Sequence, residues 1–166
     1  KKILVIGGEV LSRISDPHDR DSLIYADGAG ACILEARESD VPVGILGHNS
    51  RTDALDYAQM LHMEKSFEKE ESEKNNLYLK MNGRRLYMYA LENVPKTIKA
   101  GLDKLNISID DIKKVLIHQA NGKMDDAILK RLYNLYGYEE APDDVMPMTI
   151  SWLGNSSVAT LPTLFD

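Results

Sequence analysis

The pattern of apolar and polar positions along the chain predicts short strands that alternate with helices. Residues 83–105 repeat their apolar positions at helical spacing, and Pro95 within them predicts a kink or a break between two helices. Ser108 is predicted to cap a short turn. Strands that alternate with helices are typical of an α/β fold. The predicted strands of the first half are residues 3–9, a short stretch near Ile24, residues 30–36 and residues 77–79.

Two changes from strand to helix are the most informative local features. The apolar run 115–117 ends at His118, and after four polar or small residues the chain restarts as a helix. A second predicted strand, residues 148–153, is broken at residues 154–157 before another helix begins. We call each of these changes from strand to helix a corner. Side chains at a corner lie at the carboxyl edge of a sheet, where open α/β folds have their active sites. If the two strands are neighbours, the His118 imidazole and the Asn155 carboxamide face one pocket.

Composition and charge narrow the class of protein. At 166 residues and 43% apolar content, one core of ordinary size is expected. No apolar stretch approaches the roughly 20 residues that span a bilayer, so no membrane segment is expected. A single cysteine suits a reducing cytoplasm, and the net charge of −6 argues against nucleic-acid binding. A mixed-charge run within residues 51–76 is predicted to be a solvated excursion or a short exposed helix.

A lone histidine at a strand end is more often a structural residue than a catalytic one, by about two to one. His118 differs because it begins the motif HQAN and the basic Lys123 follows that motif closely. A second corner also carries Asn155. The sequence holds no HExxH or CxxC motif, so metal chemistry has no support. Cys32 lies between apolar neighbours and is expected to be structural rather than an activated nucleophile. The glycines at 28 and 30 lead into a strand and are expected to allow close packing.

Four motifs together resemble the 3-oxoacyl-acyl-carrier-protein synthase III family of the thiolase superfamily. The resemblance implies a thiolase-like layered α/β/α fold, with a mixed sheet flanked by helices. Residues 1–40 would end the N-terminal half of that fold, and residues 41–166 would form a C-terminal domain truncated at its end. The motifs, in the family's order, are SR…DR…DGAGA at residues 12–31, MNGRRLY at 81–87, HQAN at 118–121 and GNSS at 154–157.

The resemblance also implies a reaction. Members of the family are decarboxylating condensing enzymes that join an acyl-CoA primer to malonyl-acyl-carrier protein in fatty-acid biosynthesis. His118 Nε2 and the Asn155 amide would donate hydrogen bonds to the enolate oxygen that forms on loss of CO₂. Asn121 and Gly83 match positions near the pantetheine arm of the substrate. No cofactor is expected beyond the CoA- and phosphopantetheine-linked substrates, and a homodimer is expected for the full-length protein.

Three cations on one predicted helix, Lys123, Lys130 and Arg131, occupy positions that the resemblance associates with acyl-carrier docking. A solvated helix face is the competing interpretation at even odds. Met88 stands where the family often has a lysine, and the segment between the two corners is longer than usual. The first difference removes one expected carrier contact, and the longer segment together with the 51–76 excursion leaves the acyl specificity open.

Both ends of the chain interrupt a predicted element, so we expect part of a longer protein. The nucleophilic cysteine of the family would lie upstream, and this chain by itself is expected to be inactive. A polyketide-type or other thiolase-fold acyltransferase remains an alternative, as does a non-catalytic carrier-binding module. The residue at the upstream cysteine position would discriminate between them.

Overall fold

The computed structural model describes residues 1–165, which form a helical layer and two small antiparallel sheets. None of the helices within those residues has the length and apolar content needed to cross a membrane. The strands are β1 (Lys2–Glu9), β2 (Gly28–Glu35), β3 (Leu61–Glu64) and β4 (Tyr78–Met81). The α-helices are α1 (Ala54–Tyr57), α2 (Lys69–Ser72), α3 (Gly83–Leu105), α4 (Gly122–Asn134), α5 (Ile150–Leu153) and α6 (Thr160–Leu164). Short 3-10 helices cover Leu11–Arg13, Arg20–Ile24, Ala58–Met60, Ile109–Asp111 and Ser157–Ala159.

Strands β1 and β2 pair along their whole length, from Lys2 opposite Glu35 to Glu9 opposite Gly28. Gly7 pairs with Gly30 on the face that packs against residues 157–164. A Cβ atom at Gly30 would overlap Pro162, and one at Gly28 would lie 2.9 Å from Ser156 Cβ, so the close packing expected of these two glycines is confirmed.

Helices α3 and α4 pack side by side and carry most of the core. One cluster joins Leu91 of α3 to Met124 and Ile128 of α4. The other cluster lies beneath the C-terminal half of α4 and comprises Ile109, Leu132, Tyr133, Val145 and Met146. The packing of α3 against α4 fixes the positions of the first turns of both helices.

Helix α3 is unbroken at Pro95, so the predicted break between two helices is wrong. Proline has no N–H, which leaves the Leu91 carbonyl oxygen without its usual partner one turn back. Arg131 of α4 replaces that partner, with its Nη1 atom 3.2 Å from the Leu91 oxygen. Packing against α4 therefore compensates for the proline.

Three predicted strands are absent from the described residues, near Ile24, at residues 115–117 and at residues 148–153. Residues 20–24 form a 3-10 helix, capped by the Asp19 carboxylate, which accepts a hydrogen bond from the N–H of Asp21. Residues 115–117 belong to no sheet, although Val115 N–H donates to Val145 O at 2.8 Å. Apolar content alone does not supply the ladder of hydrogen bonds that makes a strand.

The charged segment 51–76 is only partly a solvated excursion. Its α2 helix is short and largely exposed, as predicted, but Met60 and Ser66 are buried. Strand β3 pairs with β4 from Leu61 opposite Met81 to Glu64 opposite Tyr78. Through Leu61 of β3, this segment also lines a largely apolar cavity of the protein.

Candidate active site

Four of the residues predicted from the sequence line one cavity. His118, Asn155, Asn121 and Gly83 all contribute to a cavity of about 340 Å³ between the two corners and the first turns of α3 and α4. Its remaining lining is largely apolar and includes Leu11, Ile24, Leu79, Met81, Leu86 and Met124. Apolar walls with a few convergent polar groups are typical of a small-molecule site.

His118 is held through its Nδ1 atom. That nitrogen lies 3.2 Å from the Ser157 carbonyl oxygen and 3.5 Å from Thr160 Oγ1. A carbonyl can only accept, so the shorter contact requires a proton on Nδ1. Desolvation lowers the pKa of His118, and the bond to Ser157 only partly offsets it.

The neutral ring with its proton on Nδ1 carries a lone pair on Nε2. In that state Nε2 of His118 accepts a hydrogen bond and cannot donate one. This differs from the role implied by the family resemblance, in which Nε2 donates. Donation by Nε2 requires the doubly protonated ring when Nδ1 remains bonded to Ser157.

Asn155 is buried and tightly oriented, with 6% of its surface exposed. Its backbone N–H donates to Ile24 O at 2.8 Å, and its carbonyl accepts from Ala26 N at 2.9 Å. Its side-chain Oδ1 accepts from Ser157 N at 3.0 Å. The Nδ2 group has no partner among the described residues, so it remains a donor for a ligand in the cavity.

The segment before Asn155 is a helix, and the predicted strand at residues 148–153 is wrong. Gln119 explains the difference, because its side chain provides the hydrogen-bond partner that a neighbouring strand would otherwise provide for this backbone. Its Oε1 accepts from Thr149 N at 2.8 Å and from Ile150 N at 2.9 Å, which starts α5. Its Nε2 donates to Pro147 O at 2.8 Å.

Gln119 was missed as a functional residue by the sequence interpretation. It is completely buried and joins the two corners directly. Its position within HQAN was the available signal, but the sequence does not reveal which backbone it bonds. The side chain therefore fixes the spacing of His118 and Asn155.

Asn121 and Gly83 lie at the first turns of α4 and α3. The Asn121 side chain caps α4 by accepting from Lys123 N at 3.1 Å and from Met124 N at 3.3 Å. A Cβ at Gly83 would lie 3.2 Å from Asp21 Oδ2, so glycine keeps this side of the cavity open. Both helices present their positive ends to the site.

The three predicted docking cations lie outside the cavity and are not equivalent. Lys130 pairs with Glu140 at 2.5 Å, and the Arg131 guanidinium is bonded to Leu91 O. Lys123 is exposed, and no carboxylate within residues 1–165 pairs with it. Of the three, Lys130 is neutralised by a carboxylate, the Arg131 guanidinium binds a backbone carbonyl and keeps its charge, and Lys123 has neither partner within residues 1–165.

Comparison with known proteins links this geometry to one family. Residues 1–54 match the model of "3-Oxoacyl-[acyl-carrier-protein (ACP)] synthase III", and residues 102–166 match the model of its C-terminal part. Together the two stretches make up well over half of the chain. The chain belongs to the 3-oxoacyl-acyl-carrier-protein synthase III family.

A relative in the synthase III family, "Beta-ketoacyl-[acyl-carrier-protein] synthase III" of Streptococcus pneumoniae, is 34% identical over 170 residues. The match covers 100% of this chain and 49% of the relative, so the chain spans about half the length of the curated relatives it matches.

Solved structures agree on a thiolase-like α/β fold. The synthase III of Pseudomonas aeruginosa superposes with a TM-score of 0.80 at 22% identity, over 99% of this chain and 47% of that one. The priming β-ketosynthase of the R1128 polyketide pathway superposes with a TM-score of 0.76 at 26% identity, over 98% of this chain and 46% of that one. The predicted fold class and family are therefore confirmed.

The described part of this synthase III family chain contains no cluster of three or more His, Cys, Asp or Glu side chains that could hold a metal ion.

Proposed function

We propose that the intact protein is a decarboxylating condensing enzyme that joins an acyl-CoA primer to malonyl-acyl-carrier protein. The product would be 3-oxoacyl-acyl-carrier protein in fatty-acid biosynthesis. The observation that supports this proposal best is the convergence of His118 and Asn155 on one largely apolar cavity. The partners proposed with it are acyl-CoA, acyl-carrier protein and a second copy of the protein, in the cytoplasm.

The two polar side chains suit the charge that decarboxylation creates. Loss of CO₂ from a malonyl thioester leaves an enolate whose oxygen needs hydrogen-bond donors already in place. Asn155 Nδ2 can donate without titrating, and its orientation is set through Oδ1.

His118 would become the second donor when the anionic malonyl group binds. A nearby negative charge raises the pKa of an imidazole and favours the doubly protonated ring. Nδ1 would then still donate to Ser157, while Nε2 would donate to the enolate oxygen. No cofactor is proposed apart from the CoA- and phosphopantetheine-linked substrates.

The walls of the cavity suit a pantetheine arm. The amide of Asn121, the gap left at Gly83 and the apolar side chains around them line the same cavity as His118. Exclusion of water from this cavity by a bound substrate would strengthen the hydrogen bonds to the enolate.

The test separates the two half-reactions in the intact protein. His118→Ala and Asn155→Ala should each slow malonyl decarboxylation on the order of a hundredfold, since each removes one donor. Acylation of the enzyme by acyl-CoA should stay within a few-fold of the wild-type rate. Decarboxylation should also fall as pH rises, because the doubly protonated His118 is lost. Release of ¹⁴CO₂ and intact-mass detection of the acyl-enzyme measure the two steps.

Asn93→Ala, which alters a buried amide of α3 outside the cavity, serves as the matched control for packing effects. Equal loss of decarboxylation and acylation in the His118 and Asn155 variants would contradict the assigned roles. Carrier binding with neither half-reaction in the wild-type protein would favour a non-catalytic carrier-binding module.

A polyketide-type priming synthase is the second candidate. The superposition with the R1128 priming β-ketosynthase favours it, at an identity comparable with that of the other structures. Both candidates use the same two donors, so primer specificity distinguishes them. Comparison of acetyl-CoA with longer acyl-CoA primers in the acylation assay makes that distinction.

A further inference from the structure

A buried group of three charges lies beside the cavity and takes no part in the proposed chemistry. Lys80 of β4 is 3% exposed, and its Nζ atom lies 2.5 Å from Asp16 Oδ2 and 3.3 Å from Asp19 Oδ2. Asp16 is completely buried. We call Asp16, Asp19 and Lys80 the charged triad.

Asp16 also ties in the charged segment that precedes β4. Its carboxylate accepts from Ser66 Oγ at 2.9 Å, from Phe67 N at 2.9 Å and from His18 N at 3.0 Å. Burial opposes ionisation of Asp16, but Lys80 and these donors together hold its pKa well below the usual range. The Asp16 carboxylate is therefore ionised, and its bond to Lys80 forms the centre of the triad.

The triad connects two walls of the cavity. The residues on either side of Lys80, Leu79 and Met81, both line the cavity. Arg20 and Asp21, which directly follow the second aspartate of the triad, line it as well. The Lys80 ammonium group thus joins β4, which forms one wall of the cavity, to the segment that begins at Asp19, which forms the other.

The second wall leads directly to Asn155. Tyr25 lines the cavity, and its neighbours Ile24 and Ala26 exchange backbone hydrogen bonds with Asn155. A shift of the 19–26 segment would therefore move both the rim of the cavity and the amide that is proposed to bind the enolate.

We propose that Lys80 is a positioning residue, which holds the 19–26 segment against β4 and so sets the width of the cavity for a thioester ligand. This inference rests on the proposed function for the identity of the ligand, but not for the mechanical connection. Loss of the triad should weaken ligand binding more than it slows chemistry, because the reacting groups remain present.

A single substitution is not a sufficient test. Lys80→Met leaves two carboxylates facing each other without their cation, and breaking a buried pair in this way is strongly destabilising, with an expected fall in Tm of about 10 °C. The double variant Lys80→Met/Asp16→Asn removes opposite charges together, which is often close to neutral for stability. The double variant should recover part of the lost Tm while lacking the connection, because the Asn oxygen can still accept from Ser66 Oγ and His18 N, whereas Phe67 N–H loses its acceptor.

Two readouts in the intact protein then distinguish positioning from stability. KM for the acyl-CoA substrate should rise about tenfold in the double variant, while kcat stays within about threefold of wild type. Hydrogen exchange should accelerate at the amides of residues 19–26, and exchange at the α3 amides should remain unchanged. The matched control is Glu92→Gln/Lys96→Met, which removes an exposed pair on α3 and should change neither readout.

Wild-type KM and wild-type exchange in a folded double variant would overturn the proposal and leave the triad a stabilising contact only. If the wild-type protein turns over no thioester, the proposed function fails. The exchange measurement still decides in that case, since local acceleration supports the connection and its absence overturns it.

Discussion

At the scale of single residues, Asp125 is the least expected side chain. It is completely buried in the first half of α4, and neither carboxylate oxygen has a hydrogen-bond partner among the described residues. Burial first, and the neighbouring charge of Asp126 second, raise the pKa of Asp125 to about 7. In the unfolded chain the same carboxyl has its ordinary pKa of 3.8, so it loses its proton at a much lower pH.

The prediction at this position is a loss of stability as pH rises. At pH values between 3.8 and about 7, Asp125 is protonated in the folded protein but ionised in the unfolded chain. The folded protein therefore binds one more proton, and its stability is greatest at the acidic end of this pH range. Between about pH 5.5 and pH 8 the free energy of unfolding should fall by about 2 kcal/mol because of this group. Asp125→Asn should remove that part of the slope, whereas Asp40→Asn at an exposed position should retain it. Urea unfolding of the intact protein at the two pH values measures the difference.

The docking cations give a second prediction for single residues. Lys123→Glu should raise KM for malonyl-acyl-carrier protein several-fold, mainly through slower association, and the effect should shrink as salt screens the charge. Lys130→Glu should do less, because Glu140 already compensates Lys130. KM for the acyl-CoA primer should barely change in either variant, since CoA needs no protein carrier.

Steady-state kinetics with both substrates, at low and physiological salt, check this ordering. Lys113→Glu supplies an exposed control outside α4. If KM rises equally for both substrates, or for neither, the cations of α4 form only a solvated face.

At the scale of elements, one contact between a side chain and a backbone carbonyl adds to the apolar packing of α3 against α4. Pro95 is buried inside α3, and Arg131 of α4 occupies the acceptor that the proline leaves without a partner. The same contact holds the Arg131 guanidinium against α3, although the residue stays exposed. It also explains why α3 continues past a residue that usually ends a helix.

The prediction for these helices is a coupling between the two positions. Arg131→Met should lower the free energy of unfolding by about 1.5–3 kcal/mol, the range for a charge-assisted hydrogen bond. In a Pro95→Ala background the same change should cost less, because the restored N–H at position 95 bonds Leu91 O. A double-mutant cycle followed by chemical denaturation isolates this coupling. Strict additivity of the two changes would contradict it.

At the scale of the whole molecule, the β1–β2 hairpin and the cavity are separate regions. Gly7 and Gly30 face the 157–164 segment, while Leu4, Ile6 and Ile33 lie on the opposite face and are 59%, 66% and 66% exposed. An apolar face of this kind is typical of a surface that other protein covers.

Cys32, the one cysteine of the sequence, lies in this hairpin and does not line the cavity. The 166-residue chain expressed by itself should therefore show no condensation and no acyl transfer to Cys32. Incubation with acetyl-CoA followed by intact-mass analysis checks this, with Cys32→Ser as the control for adventitious labelling. Stoichiometric acylation of Cys32 within seconds would contradict the expectation.

Much of the local structure was predictable from the sequence, because it depends on neighbouring residues. The apolar runs of residues 3–9 and 30–36, the helical spacing of 83–105 and the cap at Ser108 are all short-range signals, and each corresponds to an element of the structure within two residues. The structure brings His118 and Asn155 to one cavity, although neither of the two strands on which that expectation depended is present among the described residues.

The tertiary structure decided the features that depend on partners distant in sequence. Residues 148–153 have the apolar content of a strand, yet α5 forms within them because Gln119, 30 residues earlier, bonds Thr149. The charged triad joins Lys80 to an aspartate 64 positions away, and a lysine in a short strand gives no sign of such a partner. The tautomer of His118 is set by the Ser157 carbonyl, 39 positions away. Sequence periodicity reports which face of an element is apolar, but a hydrogen bond between distant segments exists only after the chain has folded.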